Sequence, residues 1–126
     1  SKAHIISARL ASGDLEYRQA ELLMTRNSYE KAGKWYLTTD PKLKNHSGFR
    51  FDEAQCIATI KQINAPCQLI LGDEGFPFVK QNLEAYGKYY KELKIHKIPG
   101  GHHCHMQFPA LTLEHVHAFI GQYKAS

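Results

Sequence analysis

The apolar positions of this chain fall into two regimes. Over residues 1–50 they recur at helical spacing and then break into irregular, aromatic-rich segments. Ile5, Ile6 and Leu10 mark a first helix over 1–10, with Ser1 as its N-cap. Ser12-Gly13-Asp14 interrupts it, and Asp14 is suited to cap a second helix that runs to about residue 26. Leu15, Ala20, Leu22, Leu23 and Met24 give that helix its apolar side, and Asn27-Ser28 ends it. Aromatic and β-branched residues around Ala32-Gly33-Lys34 read as a short hairpin within 29–40, followed by a polar loop over 40–48.

From residue 52 the pattern changes. Asp52 and Gln55 form a capping box for a helix to about residue 63, with Ala54, Ile57, Ile60 and Ile63 as its stripe. Residues 67–71 are a nearly continuous apolar run ended by Gly72, the signature of a strand buried on both faces. Residues 78–90 read as a helix with Val79, Leu83, Tyr86 and Tyr90 on one side, and residues 93–98 as a second strand. Pro109 opens a last helix to residue 123, with a stripe of Thr112, Val116, Phe119, Ile120 and Tyr123. Strand, helix, strand, helix predicts a parallel pair joined by a right-handed crossover. Two such strands need a neighbour on at least one further edge.

Length and composition narrow the class. A chain of 126 residues with 43% hydrophobic content suits one soluble domain. No apolar run approaches the roughly 18 residues that span a membrane, and no signal-peptide pattern is visible, so no membrane partner is expected. The 3 cysteines, Cys56, Cys67 and Cys104, lack C-x-x-C spacing, which favours a reducing, cytoplasmic setting. Net charge is +4, and the basic residues are scattered. Lys88, Lys91, Lys94 and Lys97 come nearest to a patch, but they fit a helix end and the solvent face of a strand, so nucleic acid is not an expected partner.

The chemistry concentrates in Gly100-Gly101-His102-His103-Cys104-His105-Met106-Gln107-Phe108-Pro109, between the second strand and the last helix. A glycine pair followed by histidine puts His102 at the mouth of a strand-to-helix turn, where α/β enzymes keep catalytic groups. Imidazole and thiolate are zinc ligands, but in an extended stretch at most His103 with His105, or His102 with Cys104, would converge. With no H-E-x-x-H and no C-x-x-C, no metal is expected. Cys104 is expected to pack, and His115 and His117 to be solvated.

This segment resembles the histidine loop of the α/β-hydrolase superfamily, which usually reads G-H, four residues, Glu, one residue, Pro, then a helix. Residues 54–126, including the phrase "APCQLILGDEG", lie on the superfamily's C-terminal pattern without a gap. The phrases "RQAELLMTRN", "GKWYLTTDPKLK" and "FRFDEAQ" look like the cap of its serine-hydrolase-like branch. The resemblance implies an α/β fold: a helical cap segment over 1–50, then two C-terminal parallel strands with flanking helices over 51–126. It implies His102 as catalytic base and a small-molecule acyl or ester-like substrate, with no cofactor.

Two departures bear on that expectation. None of Ser1, Ser7, Ser12, Ser28, Ser47 and Ser126 lies in a G-x-S-x-G elbow, so the nucleophile is not expected in this chain. The chain is therefore expected to be the C-terminal half of a longer protein, inactive alone, and either completed by that missing half or associated with its own copies. The family's acid position, third after Gly72, is held by Gly75; Asp73 or Glu74 has shifted into the role, the acid lies on the absent half, or the acid has been lost. Trp35 and Tyr36 belong either to a satellite core or to the wall of an acyl pocket. The competing class is a non-catalytic binding or oligomerising module of the same architecture.

Overall fold

The computed structural model describes residues 1–123. Internal contacts divide the chain into two units, Ser1–Phe49 and Arg50–Ser126. Ser126, one of the serines weighed above, lies outside the described residues.

In the first unit, helix α1 (Lys2–Leu10) begins as its sequence requires, with the Ser1 hydroxyl accepting from the His4 N–H at 3.3 Å. Helix α2 starts later than expected, at Tyr17, and runs to Arg26 with no side-chain cap. Asp14 is not its cap because it is engaged elsewhere. The Arg9 guanidinium donates to both of its oxygens, at 2.5 and 3.0 Å, a charge-assisted fork stronger than one cap bond. The hydrogen bond to Asp14 raises the Arg9 pKa, against a smaller lowering by burial. Ile6, Ala20 and Met24 form the core between the helices, with Ile5, Leu10, Leu15 and Leu23 packed against it.

Strands β1 (Ser28–Lys31) and β2 (Lys34–Leu37) pair antiparallel, with Lys31 opposite Lys34. Ala32 and Gly33 both take positive φ, 49° and 72°. That is the type I′ turn whose twist matches the strands, and it is why glycine stands at 33. The loop after the hairpin, expected to be irregular, holds a 3₁₀ turn over Pro41–Lys44 capped by Asp40.

The second unit opens with α3 (Glu53–Lys61). Asp52 and Gln55 make both bonds of the capping box there, at 2.7 and 3.0 Å. Strands β3 (Cys67–Gly72) and β4 (Leu93–Ile98) pair in parallel, in register from Cys67 opposite Leu93 to Gly72 opposite Ile98. Between them α4 (Pro77–Tyr86) ends sooner than the apolar stripe suggested, and Gly87–Tyr89 tightens into a 3₁₀ turn. Two further helices follow: α5 (Cys104–Gln107) and α6 (Pro109–Tyr123).

The parallel pair has helices on both faces. On one, Gln68 donates to the His115 carbonyl of α6 at 3.1 Å, and the His96 and His115 rings lie 4.5 Å apart. His115, expected in solvent, is therefore half-buried against the sheet. Lys94, also expected on a solvent face, lies under the same helix, its ammonium 5.9 Å from the Phe119 ring and 5.2 Å from the Tyr123 ring. Its long apolar stem lets it lie along the rings while the charge stays near Glu92, 3.8 Å away. Tyr123 donates to Glu92, tying the end of α6 to the start of β4. On the other face α3 and α4 leave an apolar gap of about 790 Å³ lined by Ile60, Cys67, Leu69, Val79, Leu83 and Leu93, among others.

Burial along β3 is uneven: Leu71 and Gly72 are buried, while residues 67–70 are half-buried. The gap leaves one face loosely covered, and among the described residues β4 is the only strand paired with β3. No helix of the described residues is long and apolar enough to cross a membrane.

Candidate functional site

The carboxyl ends of β3 and β4 face each other at Gly72 and Ile98, and the loops leaving them lie backbone to backbone. A Cβ on Gly72 would meet the Gly101 carbonyl oxygen at 2.2 Å and that of Gly100 at 2.3 Å. Only glycine allows this approach, because neither neighbour is a side chain that can swing away. Gly100 has φ +106°, and a side chain there would strike the Gln107 amide oxygen at 2.6 Å. The two loops are stitched by hydrogen bonds from the Asp73 N–H to the Ile98 carbonyl and from the Glu74 N–H to the Gly100 carbonyl, both 3.0 Å.

His102 follows this stitched segment, just beyond the carboxyl end of β4, with its side chain exposed. Its imidazole stacks on the Phe76 ring at 4.5 Å and 27°, with Phe78 at 6.4 Å and the His103 ring edge-on at 5.2 Å. Gly75 faces it: a Cβ at residue 75 would sit 3.9 Å from the His102 Cα. Gly72, Gly75, Phe76, Lys80 and His102 help to line a small cavity of about 110 Å³. The Lys80 ammonium donates to the Asp73 carbonyl at 3.0 Å.

The Asp73 carboxylate accepts from the Gly100 N–H at 3.0 Å, so it is engaged with the histidine loop's backbone. Glu74 is exposed and takes part through its main chain. Cys104 is 4% exposed and packs inward. The extended stretch assumed for residues 102–105 gives way at Cys104 to α5, one helical turn closed by the Phe108 N–H on the Cys104 carbonyl at 2.7 Å. Its polar histidines hid it, since no apolar period marks a single turn. The turn brings the His103 and His105 rings to 5.8 Å. Among the described residues no three His, Cys, Asp or Glu side chains are grouped to hold a metal ion.

In the first unit, Trp35 and Tyr36 are successive strand residues and point to opposite faces of the hairpin. Trp35 is half-buried under the Lys2 ammonium at 5.8 Å, and Tyr36 stacks on Tyr29 at 5.7 Å. That unit's cavity of about 320 Å³, lined by residues such as Ile5, Arg9, Met24 and Leu37, involves neither.

A hypothetical protein of Pseudomonas aeruginosa PAO1 superimposes with a TM-score of 0.78 at 25% identity, over 96% of this chain and 42% of that one. An esterase of Mycobacterium tuberculosis matches with a TM-score of 0.76 at 17% identity, over 96% and 43%. A thioesterase domain from the curacin biosynthetic pathway matches with a TM-score of 0.68 at 19% identity, over 88% and 41%. This chain has the fold of the C-terminal portion of an α/β-hydrolase. It spans about two-fifths of the length of these α/β-hydrolase-fold structures. No protein-family model matches it, and no curated protein matches it by sequence.

In the α/β-hydrolase frame, β3 and β4 with α4 and α6 are the strand-helix-strand-helix series anticipated from the sequence, and His102 lies on the loop that resembles the histidine loop. The missed features are Gly75 facing His102 and the Phe76 stack. A G-x-x-D phrase broken by glycine and followed by an aromatic was the available signal for both.

Proposed function

We propose that this chain supplies the general base of a serine-hydrolase site for ester-like or other small acyl substrates. His102 is the base and then the acid, and the nucleophile comes from polypeptide outside these 126 residues. The observation that carries this is the position of His102. It is exposed at the joined carboxyl ends of two parallel strands, with its ring stacked on Phe76. An esterase and a thioesterase domain share the fold and are more than twice as long, which supports a site completed by other polypeptide.

In that site a serine hydroxyl would give its proton to His102 as it attacks the acyl carbon. The imidazolium would then protonate the leaving group, and water would release the acyl-enzyme by the same route in reverse. A non-catalytic binding or oligomerising module of this architecture is the second reading. It is favoured by the aromatic rings beside His102 and by the lack of a strand on one edge of β3 among the described residues.

The test is hydrolysis of short-chain p-nitrophenyl esters and acyl thioesters, by this chain alone and by a longer polypeptide that includes it. The expectation is no turnover above buffer for the chain alone. The longer protein should turn over and lose about 10²–10⁴-fold on His102→Ala. Turnover by the chain alone that survives His102→Ala and disappears with Cys104→Ala would replace the serine reading with a thiol mechanism. An inactive longer protein would favour the binding module.

A further inference from the structure

The two N–H groups immediately before His102 are each taken by a side chain from a different element. The Gly100 N–H donates to the Asp73 carboxylate at 3.0 Å, from the loop after β3. The Gly101 N–H donates to the Gln107 amide oxygen at 2.9 Å, from the end of α5. We propose that Asp73 and Gln107 are positioning residues for His102, acting through the loop backbone. In this assignment Asp73 is not the carboxylate partner of the imidazole.

The physical reason lies in the glycine pair. Glycine has little conformational preference of its own, so two in succession leave the direction of the next residue undefined until something else fixes it. Here every hydrogen-bonding group around the pair is used. The Gly100 carbonyl accepts from the Glu74 N–H at 3.0 Å and the Gly101 carbonyl from the Cys104 N–H at 3.1 Å. The two N–H groups are left for side chains, and Asp73 and Gln107 take one each. At Gly100, whose φ of +106° already disfavours a side chain, a Cβ would meet the Gln107 amide oxygen at 2.6 Å and the Phe108 ring at 3.0 Å. Gly100 and Gln107 are therefore one device. The result is a backbone held from both sides at the point where the His102 ring must meet Phe76.

This inference rests on reading His102 as the functional histidine, but its test does not need activity. The full chain, labelled with ¹⁵N, gives two readouts. One is amide exchange at Gly100 and Gly101. The other is the His102 ring signature: imidazole nitrogen shifts, and ring protons moved upfield by the Phe76 face. Asp73→Ala should speed Gly100 exchange about tenfold and move the His102 ring protons downfield, off Phe76. Asp73→Asn keeps the accepting oxygen and should restore both. Gln107→Ala should do the same at Gly101, with rescue by Gln107→Glu. Should Asp73→Ala not fold, Asp73→Ser, too short to reach Gly100, reads the same signals.

Two results would overturn the assignment. In one, Asp73→Asn alters the His102 nitrogen shifts while Gly100 exchange stays slow, which puts Asp73 on the imidazole itself. In the other, the His102 signature is unchanged in both alanine variants. Failure of the hydrolysis assay with these effects intact would count against the proposed function and leave the positioning roles standing.

Discussion

Among the described residues each of the two sheets has two strands, but they close in opposite ways. Lys31 meets Lys34 across a two-residue turn, and Ala32 and Gly33 carry the positive φ values that reverse the chain. Gly72 meets Ile98 only after a helix and a 3₁₀ turn have carried the chain back to the start of a parallel strand. The hairpin spends its connection on the reversal itself. The parallel pair leaves two free loops at one end of the sheet, pressed together at Gly72, and the candidate site forms from them. A local reversal makes structure; a non-local one also brings distant residues into one place.

The largest expected effect is on the non-local sheet. Gly72→Ala places a methyl group onto two carbonyl oxygens at 2.2 and 2.3 Å. Urea denaturation should show a loss on the order of 3 kcal/mol, since overpacking against backbone finds no flexible neighbour to move. A loss below about 1 kcal/mol would mean that the histidine loop can withdraw, and that its contact with β3 is not a fixed feature. Asp52→Ala should cost about 1 kcal/mol by removing one arm of the capping box on α3. An unchanged midpoint would show that α3 is held by packing over the apolar gap and not by its cap.

The hairpin should respond in the other direction. Ala32 is a non-glycine residue at φ 49°. Asparagine tolerates that conformation better, so Ala32→Asn should raise stability by about 0.5 kcal/mol. Destabilisation would argue that the turn is set by something other than its own backbone.

The smallest effect is a titration. The Tyr123 hydroxyl donates to Glu92, and that bond raises its pKa above the ordinary 10.0. A raised folded-state value means the contact is intact below the unfolded pKa and is lost as pH climbs through the folded one. Among the 7 tyrosines, absorbance of tyrosinate should reveal one that ionises after the others, and Glu92→Ala should bring it down. A single uniform transition would remove the tether between α6 and β4.

The legible parts of the fold are those whose cause is local. Ser1 caps α1 and the Asp52–Gln55 box caps α3, because each satisfies N–H groups within the same turn. The apolar runs at β3 and β4 and the helical stripe between them were readable because periodicity reports burial. Asp14 misled because a cap is only one use of a carboxylate, and Arg9 on the preceding helix offered a stronger one. Helix α4 is shorter than its apolar stripe, because Tyr90 continues the stripe in sequence while the backbone has already tightened at Gly87.

At the site the division is sharper. The sequence alone put His102 at the mouth of a strand-to-helix turn, from a glycine pair, a histidine and a proline that follow an apolar run. It could not say what surrounds that histidine. Gly75 facing it, Phe76 against its ring and Asp73 on the Gly100 N–H all depend on which loop lies across the end of the sheet. Periodicity and capping act over a few residues and leave their mark in the order of amino acids. The choice of partner for a carboxylate such as Asp73 is made between residues 27 positions apart, once the parallel pairing of β3 with β4 has brought them together.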